Sequence, residues 1–408
     1  MNMPEDADII IIGAGPAGLS AAITLVKQGV SVLVLERESA GKEKVCGGGL
    51  GRRSVRLLGD LTDQRFPFSR GNRINKLLVG APDGGELSID FSENKSQITG
   101  LTRVRGELEL ELVKYIERNK GFKIIYSCEA LDWSKDTSGV HVKTTKGTFS
   151  AKAIIIAAGA HPAREIEPNG YTPFDRNSDA IALRAYFKEV DQDGLNDQIE
   201  FYFFKEIYPG YFWIFPQNNS ISNVGVYLPL RYKHQKGINL QSLFYELIQE
   251  KSVLASRFQN ASLIGKIESS VLPLHKKKRV LSGDRFLVVG DTASLVDELA
   301  GEGIGNALQS GKWAGEVMAS AILKNDFSQG YLNRYDGLVK RKLIKELTWH
   351  SRLIKFIGKN PRIFSLLIKK FATSVKLNNH ANQLASGASF KGLLRSLRFW
   401  WQLLFSKW

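Results

Sequence analysis

The apolar stretch DIIII, Asp8 to Ile12, runs directly into Gly13-Ala14-Gly15-Pro16-Ala17-Gly18 and then into LSAAITLVKQG, which has the apolar spacing of a helix. Few folds accept this order. The chain must turn sharply at a strand end and present backbone N–H groups at a helix start, as a dinucleotide-binding βαβ unit requires. A second strand, Ser31 to Leu35, ends at Glu36, with Arg37 beside it as a further contact. In such a unit Gly13 makes the turn, and Gly15, followed by Pro16 and Ala17, lets the backbone approach a pyrophosphate. Gly18 lets the helix pack on the sheet, and Glu36 accepts from ribose hydroxyls. The motif alone does not separate NAD from FAD.

A second signature separates them. RFLVVGDTASLVDELAGEGIGNALQSG, from Arg285, reads as a strand ending in Gly290-Asp291, a loop, and Gly301-Glu302-Gly303-Ile304-Gly305 opening a helix. Asp291 is placed to accept from the hydroxyls of a sugar chain. The helix N-terminus, through Gly301, Gly303, Ile304 and Gly305, brings positive dipole to a group that gains negative charge, as a reduced flavin ring does.

These stretches resemble the FAD-dependent oxidoreductases of the p-hydroxybenzoate hydroxylase fold, and within them the geranylgeranyl reductase family. Cys46-Gly47-Gly48-Gly49 and Tyr211-Phe212-Trp213-Ile214-Phe215-Pro216 carry the likeness further. Arg105-Gly106-Glu107-Leu108-Glu109 with Leu112 is a weaker match to the family's arginine helix. The resemblance implies FAD as cofactor, with Gly47, Gly48 and Gly49 lying against the flavin or the substrate chain and Arg105 near the flavin or its linker. It also implies that Tyr211, Trp213, Phe215 and Pro216 line an isoprenoid cavity. An aromatic core layer is the plainer reading of that strand, and a surface arginine on an amphipathic helix that of Arg105. Two departures stand out. Where the family has an Asp-Gly pair, this chain has Ala158-Gly159-Ala160-His161-Pro162, which keeps Gly159 as a cofactor contact but removes the carboxylate. The electron donor therefore stays open among NAD(P)H, ferredoxin and others. Where the family has Asp-Pro, this chain has Asp297-Glu298.

The expected fold is α/β, a discontinuous Rossmann-like FAD-binding domain with an inserted antiparallel β-sheet substrate domain and a C-terminal helical region. The FAD-binding domain is expected at residues 1–75, 100–175 and 270–335, and the substrate domain at 76–99 and 176–269. Basic amphipathic helices follow at 336–408. The alternation in IALRAYFKEV and QIEFYFFKEIYPGYFWIFP predicts strands with one covered face.

The net charge of +15 would suggest a polyanion if it were spread evenly, but fifteen of the 56 Lys and Arg and only one of the 41 acids fall after residue 339. Leu, Ile, Phe and Trp interleave with those bases. FKGLLRSLRFWWQLLFSKW, residues 390 to 408, has helical apolar spacing with basic flanks, and RLIKFIGKNPRIFSLLIKKFA, residues 352 to 372, repeats that character with a break at Pro361. An anionic membrane surface is the expected partner, ahead of nucleic acid; a helical cap on the enzyme body is the plainer reading. The acidic start, two unpaired cysteines and no apolar run of about 18 residues point to a cytoplasmic protein, peripheral on the inner face of the cell membrane. The histidines, His161 among them, show no metal-ligand spacing, and no metal is expected.

The sequence thus predicts a flavoprotein that saturates carbon-carbon double bonds in an isoprenoid or other apolar lipid by hydride transfer, with Cys46 as proton donor. The alternatives are a class A flavin monooxygenase on the same fold and a non-catalytic membrane flavoprotein that binds lipid or quinone.

Overall fold

The computed structural model describes residues 6–91, 100–160, 166, 178–191, 196–218, 220–275 and 279–385. The run of isoleucines that opens the sequence becomes the strand Ala7–Ile12, paired in parallel with Val32–Leu35 on one side and Gly147–Ile156 on the other. Ile9, Ile10, Ile11 and Ile12 are all buried, because helices or strands cover both faces of a central parallel strand. Phe122–Ile125 extends this eight-stranded sheet at one end, and Phe286–Val288 followed by Ser282–Gly283 at the other. Val140–Thr144 and Ala130–Lys135 branch from it as an antiparallel flap.

Two helices from opposite ends of the chain cross tightly over this sheet. They are Pro16–Val26 and Ile304–Lys324. Ser20 Oγ donates to the Leu308 carbonyl at 2.6 Å, and a Cβ on Gly311 would stand 2.0 Å from the Ala17 carbonyl oxygen. Backbone meets backbone here, which only glycine permits.

The second sheet has seven strands, in the order Ser262–Leu272, Ala180–Lys188, Ile221–Pro229, Tyr211–Pro216, Gln198–Tyr202, Lys76–Gly80 and Glu86–Asp90. It is antiparallel as expected except where Gln198–Tyr202 runs parallel to Lys76–Gly80. That neighbour arrives from far earlier in the chain, so no hairpin dictates its direction. The strand Tyr211–Pro216 sits mid-sheet and is buried along its length. Period two sorts its side chains. Phe212 and Ile214 pack with Phe244 under the helix Leu240–Glu250, while Tyr211, Trp213 and Phe215 turn to the opposite face.

The basic C-terminal region forms the helices Lys345–Lys359, Pro361–Thr373 and Val375–Ala385. The break falls at Pro361 as the sequence predicts, since proline is tolerated only in the first turn of a helix. Ile368 packs against Leu87 and Ile89 of the edge strand Glu86–Asp90, which closes that edge of the sheet. The expected helix at 390–408 and His161 lie outside the described residues.

Candidate active site

The glycine turn is tight because its carbonyl neighbours demand it. Gly13 has φ of +105°, and a Cβ there would come within 2.3 Å of the Ala157 carbonyl oxygen. The helix that follows begins at Gly15 with no side-chain cap, and the helix Ile304–Lys324 likewise begins at an uncapped Gly303. Two sets of orphan N–H groups therefore open into one space, a cavity of about 610 Å³. Gly13, Gly15, Pro16, Ala17, Gly303 and Ile304 all line it.

Glu36 is buried at the end of Val32–Leu35 and also lines the cavity. Its Oε2 accepts from the Ala14 N–H at 2.6 Å, and Oε1 from the Glu38 N–H at 3.0 Å. The carboxylate thus fixes the glycine loop as well as facing the site, a role the sequence reading did not include. Arg37 borders the cavity from an exposed position, with Glu38 3.5 Å away. Gly159, at φ of +80°, lines the wall, and its carbonyl accepts from Thr292 Oγ1 at 3.1 Å. Gly18 packs as expected, and Gly305 also acts through packing. Gly18 abuts the Gly13 carbonyl, and Gly305 abuts Ser54 and Glu302; neither borders the cavity.

Asp291 lies deep in the site, and a Cβ on Gly303 would stand 3.1 Å from its Oδ1. Burial pushes its carboxyl above the usual range, opposed by Arg105 and Lys44. Arg105 opens the helix Arg105–Ile116 and is no surface residue. Burial works against its charge, but Glu109, Cys46 and Asp291 outweigh burial and hold the guanidinium above its ordinary value. Glu109 Oε1 receives Arg105 Nε at 3.2 Å. The weakest of the five sequence matches is therefore the residue that joins three others.

Cys46 faces this arginine from a half-buried position, and its Sγ accepts from the Gly48 N–H at 3.3 Å. Its carbonyl accepts from Asn223 Nδ2 at 2.8 Å, and Asn223 Oδ1 accepts from the Trp213 indole N–H at 3.0 Å. One amide thereby ties the cysteine loop to the aromatic strand. Gly47, Gly48 and Gly49 all line the cavity, and two of them also face an aromatic ring. A Cβ on Gly47 would stand 3.1 Å from Phe215 Cε2, and one on Gly49 3.0 Å from the same atom, so an aromatic ring fills the room they leave. Gly48, at φ of +72°, makes the turn against the Arg103 carbonyl.

Tyr211, Trp213 and Phe215 line the cavity, joined by Phe201, whose ring stands 5.0 Å from Tyr211 and 5.3 Å from Phe215. Pro216 does not line it. As the even-numbered neighbour it points off this face, and its carbonyl accepts from Thr102 Oγ1. Tyr227, absent from the sequence expectations, lies opposite Tyr211 in register and stacks on it at 5.0 Å. Both phenols are raised, by burial first and then by nearby acids. They donate to the Ala300 and Glu298 carbonyls at 2.6 and 3.0 Å, which holds the loop before Ile304–Lys324 against the sheet. The Asp297-Glu298 departure is pinned on both sides. Glu298 pairs with Arg231, and Asp297 Oδ2 lies 2.7 Å from His350 Nδ1 on the helix Lys345–Lys359. Arg184, also missed, is buried at the rim, with its NH2 2.9 Å from Glu43 and 3.1 Å from Glu268.

Residues 6–340 match the FAD binding domain family. The chain is 26% identical over 340 residues to digeranylgeranylglycerophospholipid reductase 1 of Methanococcoides burtonii, covering 82% of this chain and 79% of that one. It is 26% identical over 362 residues to the menaquinone reductase of Mycobacterium tuberculosis, covering 86% of each. A geranylgeranyl bacteriochlorophyll reductase-like protein from Thermoplasma acidophilum shares the fold, with a TM-score of 0.81 at 22% identity over 96% of this chain and 99% of that one. The two uncapped helix starts, the half-buried Asp291 and the cleared glycine backbone between them fit FAD, which Gly13, Gly15, Glu36, Arg105 and Asp291 would hold. The chain belongs to the FAD binding domain family and is an FAD-dependent oxidoreductase.

Proposed function

We propose that this protein reduces carbon-carbon double bonds in an isoprenoid or related polyene lipid at a membrane surface, from the cytoplasmic side. One observation carries the reading. The cavity that holds the nucleotide cradle continues without interruption into a pouch walled by Leu77, Phe91, Phe201, Trp213, Phe215 and Leu272, and Cys46 borders the space they share. An apolar chain has few polar handles, so its binding comes mainly from buried apolar area, at about 25 cal/mol per Å². The names of the relatives, a digeranylgeranylglycerophospholipid reductase and a menaquinone reductase, support a lipid or quinone substrate.

Reduced FAD, when bound, supplies hydride to one alkene carbon. The residues of the chain supply orientation and the proton. Tyr211, Trp213 and Phe215 hold the chain flat against the wall and exclude water from the bond being reduced. The protons of Tyr211 and Tyr227 are committed to backbone carbonyls, which leaves the Cys46 thiol to protonate the second carbon. The S–H bond breaks as the new C–H bond forms, and water returns a proton to the sulfur. Arg105 and the Gly48 N–H both donate toward that sulfur and stabilise it while it lacks the proton.

Anaerobic incubation of the dithionite-reduced holoprotein with polyprenyl lipids, read by mass spectrometry, tests this reading. A gain of one H2 per bond is expected. Product that forms only with oxygen would make the protein a monooxygenase, and unchanged lipid would make it a binding protein.

A further inference from the structure

Among the described residues, three of the eight exposed large apolar side chains are Phe356, Ile363 and Leu366, exposed by 54%, 39% and 40%. All three lie within about two turns of the junction between Lys345–Lys359 and Pro361–Thr373. Lys355, Lys359 and Arg362 are exposed among them, and among the described residues no carboxylate pairs with these three bases. From residue 340 to 385 there are eleven Lys and Arg against one acid, Glu346.

The corner is firmly mounted. Ile354 and Ile357 are buried beneath the first helix and Ile368 beneath the second. The Phe364 ring stands 4.8 Å from Phe203, whose ring is 5.7 Å from Tyr211 on the cavity wall. Its apolar tips are thus held outward by the packing beneath them, two ring contacts from the pouch. Apolar tips set among uncompensated bases on two helices match the chemistry of an anionic bilayer, where the bases meet headgroups and the tips enter the acyl boundary.

We infer that the corner formed by Lys355, Phe356, Lys359, Arg362, Ile363 and Leu366 docks the protein on anionic lipid and sets the pouch next to the bilayer. This rests on the lipid reading above and adds where the membrane lies. The test is co-sedimentation of the full-length holoprotein with vesicles of phosphatidylglycerol and phosphatidylcholine, or of phosphatidylcholine alone, at low and high salt. The wild type binds the anionic vesicles at least tenfold more tightly, and salt weakens the binding. Lys355→Glu, Lys359→Glu and Arg362→Glu together weaken it about 100-fold, and Phe356→Ser, Ile363→Ser and Leu366→Ser together weaken it about tenfold. Arg118→Glu with Lys120→Glu, away from the corner, leaves it unchanged. Wild-type binding by either triple variant overturns the proposal, because the anchor then lies elsewhere, residues 386–408 included. Equal binding to both vesicle types also overturns it, as does binding to an acidic protein in place of vesicles. Reduction of detergent-dispersed polyprenyl lipid is measured for every variant and stays at the wild-type level. Failure of all proteins there, with vesicle binding intact, counts against the reductase reading alone.

Discussion

Asn223 offers the sharpest test of how the cysteine loop is held. Its buried carboxamide spans Trp213 and Cys46, accepting from one at 3.0 Å and donating to the other at 2.8 Å. Asn223→Ala strands the buried indole N–H, which costs about 1–3 kcal/mol, and loses the bond to a partly exposed carbonyl, which costs about 0.5–1.5 kcal/mol. The expected total is about 1.5–4.5 kcal/mol. Trp213→Phe removes the donor that would be stranded, so in that background Asn223→Ala should cost about 1–2 kcal/mol less. Urea unfolding of the four proteins of this cycle, followed by far-ultraviolet circular dichroism, measures the difference. Additivity to within about 0.5 kcal/mol would refute the argument, because it would mean that the two side chains do not depend on each other. The same variant should keep its flavin but turn over slowly, since Cys46 loses the contact that sets its carbonyl.

Three further outcomes are expected. Cys46→Ala should retain FAD, read from its absorbance, and lose most alkene reduction; full turnover would remove the thiol from the mechanism. Burial lowers the pKa of His350, but the bond to Asp297 and the nearby Glu346 outweigh it and hold the imidazole above its usual 6.5. With the folded value raised, the pair's stabilisation is complete below about pH 6.5 and fades as pH rises through the folded value. The stability gap between wild type and His350→Gln should therefore narrow from pH 6 to pH 9, and a constant gap would contradict the ion pair. Gly311→Ala drives a methyl to 2.0 Å from the Ala17 carbonyl, so the two crossing helices must part. A loss of about 1–3 kcal/mol and weaker FAD retention are expected from thermal melts and ultrafiltration.

The nucleotide cradle was legible because its chemistry is local: Gly13, Gly15 and Glu36 each act within a few residues of the turn or strand end that demands them. Asp291 was legible for the same reason. The residues that escaped act across register. Tyr227 meets Tyr211, and Asn223 meets both Trp213 and Cys46, only after distant strands have paired, and no spacing along the chain encodes that pairing. Strand period could have excluded Pro216, which falls on the opposite parity from Tyr211, Trp213 and Phe215. Arg105 was ambiguous because an amphipathic helix gives no sign of which neighbours its first turn will meet. The parallel pairing of Gln198–Tyr202 with Lys76–Gly80 was hidden because it links segments more than 100 residues apart.

The crossing of Pro16–Val26 with Ile304–Lys324 also bears on how the protein is made. Ser20 and Leu308, bonded across that crossing, are 288 residues apart. A ribosome adding about 5–20 residues per second needs about 15–60 seconds to cover that distance. Through that interval the first helix is complete, yet the partner that packs on Ala17, Ser20 and Thr24 does not exist. Half of the cofactor cradle waits until the chain has passed Ile304, so flavin is captured only late in synthesis. Until then the N-terminal strand and helix expose apolar surface of the kind that promotes aggregation, and a chain cut short before Ile304 lacks the helix that closes its nucleotide site.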